Sequence, residues 1–401
     1  MTTTSAPYFA GVRPGVLAIL DDAIAIRRDL HAHPELSWQE ERTQGVVLER
    51  LRAFGLEDAR PMARTGATAL VRGGSAGPAL LWRADMDALP VQEETGAEYA
   101  SQTADVMHAC GHDGHVAIAL TLALALHERR SKLRGSVRFA FQPAEERENG
   151  ARTMIDEGVL AEPEIEAAFG LHINADADTG RVLVAPGPIF ASPTGFRLII
   201  RGKPGHAANP HQTVDPILVA AQVIVALQTI VSRSVDPQQA VVVTVGKIEG
   251  GVKGNVISRE VKMSGTIRTF DERTLDRVIE RFEELVAGVC AGFGAEFQFD
   301  HTTGAPPVVN DAAMADLVSE VAGGMLGAGA VAPHTTTGGD DMAFYLKAVP
   351  GCYFFLGARN RDKGLRGPHH QSRFDFDEDA LAVGVEMGLR IIERYTGSEL
   401  G

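Results

Sequence analysis

Cysteine is scarce in this chain, with three in 401 residues, at positions 110, 290 and 352. Thiols so few and so far apart cannot form a disulfide framework, which excludes a small stapled secreted scaffold and fits a reducing compartment. Basic residues are outnumbered, 38 Lys and Arg against 52 Asp and Glu, and the formal charge of −14 argues against a nucleic-acid partner. The opening MTTTSAPYFAGVRPG lacks the basic start and continuous apolar run of a signal peptide. The apolar run that includes 120–126 is ended by His127-Glu128-Arg129-Arg130, well short of a membrane span. Low-complexity tracts and fixed-period repeats are also missing. What is left, at 45% hydrophobic and 22% charged residues, has the composition of an ordinary soluble globular protein. Its expected compartment is the cytoplasm, with no membrane contact, and its length suggests two or three domains.

The densest chemistry lies in Met107-His108-Ala109-Cys110-Gly111-His112-Asp113-Gly114-His115. Glycines at 111 and 114 permit a tight turn, and an apolar stretch over 116–126 predicts a helix directly after it. A thiol and imidazoles crowded on such a turn suit a transition metal such as zinc. Taken alone, the same residues also read as a solvated polar loop with a packed cysteine. Upstream, Leu17, Leu20 and Ile24 recur at helical spacing until His33-Pro34. Ser37 with Glu40 resembles a capping box, and Val47, Leu48, Leu51 and Phe54 form an apolar stripe closed by Gly55.

Several short apolar runs pass straight into polar clusters. Ala79-Leu80-Leu81-Trp82 leads to Asp85 and Asp87, Val137-Arg138-Phe139-Ala140-Phe141 to Glu145 and Glu146, and Ala167-Ala168-Phe169-Gly170-Leu171 to His172. Buried strands alternating with helices predict an α/β layered sheet, with reactive groups gathered beyond the carboxyl ends of the strands. Near Pro186-Gly187-Pro188 the pattern changes. Phe196, Leu198 and Ile200 alternate as in a strand, followed by a helix over 216–231, strands over 240–248 and 256–269, a helix capped by Asp271, and a strand holding Phe297 and Phe299. That β-α-β-β-α-β order is a ferredoxin-like unit, expected as an insertion over 187–303. Residues 1–186 and 304–401 would then form the first domain, with a helix over 313–326 and a strand over 352–356.

Adjacent carboxylates such as Glu145-Glu146 repel unless a positive group lies between or beside them. At a surface they would be a solvated pair. After a buried strand, one can bind metal while the other takes a proton from water. His172 reads equally as a hydrogen-bonded core histidine, and His369-His370 as a loop dipeptide. Together they make one thiolate, three imidazoles and a carboxylate, too many donors for one tetrahedral zinc but suited to two cations.

Beyond these residues, the chain resembles the M20 metallopeptidase family, in its amidohydrolase branch of hippurate hydrolase-like and indoleacetyl-amino-acid hydrolase-like enzymes. The resemblance rests on Arg28-Asp29-Leu30-His31-Ala32-His33-Pro34-Glu35-Leu36, Arg83-Ala84-Asp85-Met86-Asp87-Ala88-Leu89-Pro90 and His108-Ala109-Cys110-Gly111-His112-Asp113. It continues through Gln142-Pro143-Ala144-Glu145-Glu146, Gly170-Leu171-His172, Gly205-His206-Ala207-Ala208 and Gly265-Thr266-Ile267-Arg268-Thr269-Phe270. It implies two divalent metal ions per subunit (zinc, manganese, cobalt or nickel) held by Cys110, His112, Glu146, His172 and His370, with Glu145 as general base. His370 is preferred to His369 because the family's histidine stands four residues before the phenylalanine, here Phe374. Asp85 occupies the place of a metal-binding histidine in related peptidases, and Asp87 is expected to orient rather than ligate. The inserted domain falls where the family carries its dimerisation domain. His206 is expected to stabilise the oxyanion, with Asn255 and Arg268 facing the substrate carboxylate. The implied activity is cleavage of the amide bond of N-acyl amino acids by a homodimer. A dipeptidase and a non-catalytic metal-binding protein on the same fold are the alternatives. Gly339-Asp340-Asp341-Met342 departs from the Ser-Glu-Asp-Phe of many relatives and is expected near the substrate entrance.

Overall fold

In the computed structural model, which describes residues 6–147, 150–365 and 367–401, the apolar runs that end in polar clusters are neighbouring strands of one sheet. Arg134–Gln142, Ser75–Asp85, Ala167–Asp178 and Gly351–Arg359 lie side by side and parallel. Their middles are buried throughout, as expected of parallel strands covered on both faces. Gly66–Arg72 joins one side antiparallel and Val182–Leu183 the other, so the eight-stranded sheet is mixed. Arg83 pairs with Ala140 on one neighbour and Gly170 on the other. Two residues further along each strand come Asp85, Gln142 and His172, in a row at the carboxyl ends, where open α/β sheets collect reactive groups.

The helix His112–Glu128 packs against this sheet and against the helices Leu20–Ala32 and Asp379–Thr396. It is apolar nearly all round and almost wholly buried, as a core helix is. It starts earlier than the expected 116, because Gly111 adopts φ +90° and turns the chain directly into it. His112 and His115 therefore stand on its first turn, one above the other. A Cβ at Gly114 would lie 2.4 Å from Ile173 Cδ1, so glycine lets this turn press onto the strand that carries His172. Ser37 and Glu40 do not form the expected capping box. Glu40 is the N-cap of Glu41–Ala53 without a side-chain cap bond. Its carboxylate instead accepts from Thr65 Oγ1 at 2.6 Å and the Ala144 N–H at 2.8 Å, and Ser37 Oγ donates to Asp87 at 2.6 Å. Both side chains thus brace the loop that leads into Glu145. Leu17 belongs to a separate turn, Pro14–Leu17, ahead of the helix Leu20–Ala32.

These elements belong to one compact unit, Met1–Gly187 with Val309–Thr335 and Asp340–Gly401; the other is Pro188–Val308 with Thr336–Gly339. The second unit has an antiparallel sheet in the order Val241–Gly250, Glu260–Thr269, Ser192–Arg201, Glu296–Thr303. This is the ferredoxin-like arrangement. Its helices are Pro216–Thr229, where Asp215 accepts from the Ile217 N–H, and Glu272–Phe293, where Asp271 accepts from the Thr274 N–H. Phe196, Leu198, Val223, Leu227, Phe282 and Val286 form its core. The expected strand over 256–269 is interrupted: Val256–Ile257 pairs with Gly205–His206, and Glu260–Thr269 begins after the break.

Candidate metal centre

Four segments of the first unit bring sulfur, nitrogen and oxygen donors together. Cys110 Sγ lies 3.5 Å from His172 Nε2 and 3.3 Å from His370 Nε2. His370 Nε2 is 3.5 Å from Glu146 Oε1. The donor atoms of Cys110, His112 and His172 fall within 4.8 Å of one another, as do those of Cys110, Glu146 and His370, and of His112, Glu145 and Glu146.

The surroundings orient each donor. The His112 Nδ1–H donates to the Asp87 carbonyl at 2.8 Å, and the His172 Nδ1–H to the Ile173 carbonyl at 2.6 Å. Each ring thereby leaves Nε2 as the nitrogen that can serve a metal, although in the metal-free chain, against the effect of burial, Asp85 and Cys110 hold His112 well above the usual imidazole range. His112 Nε2 and Glu146 Oε1 are buried without a hydrogen bond, and buried polar atoms left without a partner call for an ion or an ordered water. His370 sits at φ +63° and donates its N–H to the Ala109 carbonyl at 2.8 Å. A left-handed backbone is strained for a non-glycine residue and persists where its neighbours impose it. His369 is otherwise engaged: its Nε2 accepts from the Ala175 N–H at 3.1 Å and its ring packs 4.7 Å from Phe374.

Charge points the same way. Burial, and then the Glu146 carboxylate, push the Cys110 thiol well above its ordinary value. Burial followed by Asp340, Glu146 and Asp341 pushes Glu145 well up, and burial with Asp87 and Asp85 lifts Glu146 to about 7. Burial pushes His172 and His370 down, keeping them neutral and able to ligate. Anionic donors crowded this closely need positive charge, and thiolate, imidazole and carboxylate donors together fit two divalent ions.

Asp87 meets His112 at Nδ1, with its carbonyl oxygen at 2.8 Å and its Oδ1 at 3.5 Å. Its Oδ1 and Oδ2 also accept from the Glu145 and Glu146 N–H groups, each at 3.0 Å. It fixes the turn on which the base and a ligand sit. Asp85 is also committed: Oδ1 meets His115 Nδ1 at 2.5 Å and Oδ2 meets Arg83 Nη1 at 2.6 Å, with His112 Nε2 3.6 Å away. His115 uses its other nitrogen, Nε2, to accept from the Ile173 N–H at 2.8 Å. Sequence reasoning gave His115 no role, although its i,i+3 relation to His112 was the available signal.

Arg83 was missed as a hub. Its buried guanidinium reaches Asp85, Asp341 Oδ1 at 2.8 Å, Asp340 Oδ1 at 3.2 Å, Gln142 and the Tyr353 hydroxyl. Asp340 and Asp341 are 1% and 0% exposed, buried against Arg83. They lie beneath Glu145, their oxygens within 4.8 Å of its carboxylate. In the second unit, His206 is exposed and its strand pairs with Val256, and Asn255 next to it accepts from the Ala207 N–H at 3.1 Å. Arg268 is half-buried on Glu260–Thr269.

Residues 81–394 match the family described as Peptidase family M20/M25/M40. The chain is 39% identical to an N-acetylcysteine deacetylase of Bacillus subtilis (strain 168), over 90% of this chain and 94% of that protein. It is 37% identical to the IAA-amino acid hydrolase ILR1-like 4 of Arabidopsis thaliana, over 94% of this chain and 86% of that one. It superposes on the Bacillus subtilis YXEP protein, described as a dinuclear metal binding peptidase from the M20 family, with a TM-score of 0.83 and 34% identity, over 96% of this chain and all of that one (100%).

Proposed function

The chain belongs to peptidase family M20/M25/M40, and on that premise we propose that it is a metal-dependent amidohydrolase that cleaves N-acyl amino acids to a carboxylic acid and a free amino acid. The observation that carries this reading is the approach of Cys110 Sγ to both His172 Nε2 and His370 Nε2, beside the buried Glu145. Cys110, His112, Glu146, His172 and His370 would hold two divalent ions, which would supply polarisation of the scissile carbonyl and a more acidic water. Glu145 removes a proton from the attacking water as the C–O bond forms. It returns that proton to the departing nitrogen as the C–N bond breaks. Asp87 keeps Glu145 and Glu146 in register through their N–H groups. Asn255 and Arg268 receive the substrate carboxylate, Arg268 through a charge-assisted pair, and His206 stabilises the oxyanion in the neighbouring subunit's site.

The second unit is the dimerisation surface in this reading. Ile217, Leu218, Val225 and Val231 are exposed on Pro216–Ser234, a helical stretch also long and apolar enough to cross a membrane. Val219, Ala220, Val223 and Leu227 of the same helix are buried in the unit's core, which supports a second copy as the cover for the outer face. The edge strand Val241–Gly250 is open to the same partner. Three buried cysteines, none paired, suit the cytoplasm.

A panel of acetyl, benzoyl, indoleacetyl and aminoacyl conjugates, assayed with manganese, cobalt or zinc, tests the activity. Turnover of the N-acyl conjugates, reduced about tenfold or more when their carboxylate is capped as an amide or when Arg268 is replaced by Ala, is expected. Cleavage restricted to dipeptides with a free amino terminus, or inertness on the whole panel, would contradict it.

A further inference from the structure

Arg27 touches none of the candidate ligands, yet it is 0% exposed on the inner side of Leu20–Ala32. A guanidinium is buried this way only where charge and hydrogen bonds surround it. Its Nε donates to Asp113 Oδ2 at 2.8 Å and its Nη2 to Asp375 Oδ1 at 2.7 Å. Asp113 directly follows His112 at the start of the core helix, and Asp375 lies on the loop that leaves His370. One planar cation therefore spans the two segments that bring these histidines to the centre.

The loop with His370 has no regular structure to hold it. The His370 side chain is 53% exposed and its backbone sits at φ +63°. Its position comes from anchors on either side: the Ala109 carbonyl accepts the His370 N–H, the Ser372 carbonyl accepts the Glu94 N–H, and a further set of bonds meets at Asp375. The Tyr99 hydroxyl donates to Asp375 Oδ2 at 2.8 Å, and the Phe376 N–H to Oδ1 at 2.8 Å. The Arg27 guanidinium carbon lies over the Phe376 ring at 4.3 Å and over that of Tyr99 at 4.8 Å, so both rings add cation–π contact to the ion pairs.

We infer that Arg27 is a positioning residue for the metal centre. By bridging Asp113 and Asp375 it sets the separation of His112 and His370, and so the affinity of the site for its ions. The inference rests on the assignment of those two histidines as ligands. Lysine cannot reproduce the fork that grips both carboxylates, so Arg27→Lys keeps the charge and loses the bridge.

Manganese titrated calorimetrically into metal-free wild type, R27K, D375N, Y99F and H370A tests this. R27K and D375N should bind about tenfold more weakly or worse, the scale for residues that orient ligands. They should still take up two ions at saturation, keep the near-ultraviolet circular dichroism of wild type, and regain turnover as manganese is raised. Y99F, which deletes one hydroxyl, should move the same way by less. Affinities of R27K and D375N within twofold of wild type would overturn the role. So would a loss that parallels the melting of the metal-free protein and is not recovered with metal, since a purely structural ion pair behaves so. H370A should lose one ion. If it still bound two, the ligand assignment itself would fall, an outcome distinct from failure of the Arg27 role.

Discussion

Replacing Glu145 by glutamine separates the binding of metal from turnover. The residue is 7% exposed and sits on the short turn Glu145–Arg147, whose leading N–H groups are taken by Asp87. Glutamine has the same shape and keeps those backbone bonds, so the five candidate ligands remain where they are. What disappears is the proton acceptor. A positioned base contributes on the order of 100- to 10,000-fold, so kcat should fall about 1,000-fold, about 4 kcal/mol on the barrier, with KM little changed. Stability should move the other way. The Glu145 carboxylate lies within 4.8 Å of those of Asp340 and Asp341, and burial with that crowding pushes it well above the usual range. A neutral amide relieves the crowding, so metal-free Glu145→Gln should melt at or above the wild-type temperature. Steady-state hydrolysis of an N-acetyl amino acid, with metal content by plasma mass spectrometry, reads both effects. A kcat within tenfold of wild type, or ions lost together with activity, would refute the reasoning.

Removing the Asp87 carboxylate with Asp87→Ala strands the buried N–H groups of Glu145 and Glu146. Metal titration should show affinity reduced about 10- to 100-fold; unchanged affinity would contradict its orienting role. In the metal-free protein, Glu146 and Asp341 are each pushed up to about 7, chiefly by burial, and so bind protons that the unfolded chain has already released. Stability from these groups is full below their unfolded values and is lost as pH rises through about 7. Metal-free protein should therefore melt higher at about pH 6 than at about pH 8, with bound divalent ions flattening the difference; scanning calorimetry with and without metal checks it, and an equal slope in both would contradict it. Val225 is 67% exposed, so Val225→Glu should leave its unit folded yet give a monomer by light scattering, and an unaltered dimer would remove that face from the interface.

The catalytic unit was legible where local patterns report global position. A buried parallel strand followed at once by acidic or imidazole residues names its own carboxyl end, so Asp85, the Glu145-Glu146 pair and His172 could be placed on one rim. The ferredoxin-like unit was legible through strict alternation in Phe196, Leu198 and Ile200 and the cap Asp271; the Asp215 cap of the other helix was not read from the sequence. Neighbours in space were harder to read. Adjacent aspartates are normally surface residues, and nothing local shows that Asp340 and Asp341 are buried against Arg83. Arg83 and Asp85 share a strand face through the period of two, but their further partners come from distant segments. Ser37 and Glu40 carried the spacing of a capping box, and tertiary bonds to Asp87, Thr65 and Ala144 displaced it. Joining Cys110 to His370 across the chain came from family resemblance, because no periodicity links residues so far apart.

The central claim is that Cys110, His112, Glu146, His172 and His370 jointly hold a pair of divalent ions next to Glu145. Anomalous diffraction from crystals of the manganese- or zinc-loaded protein measures this most directly. Two peaks about 3.5–4 Å apart, each about 2.0–2.3 Å from donor atoms of that set, are the predicted result. Peaks confined to Glu145, Asp340 and Asp341, or none between Cys110 and His370, would contradict it.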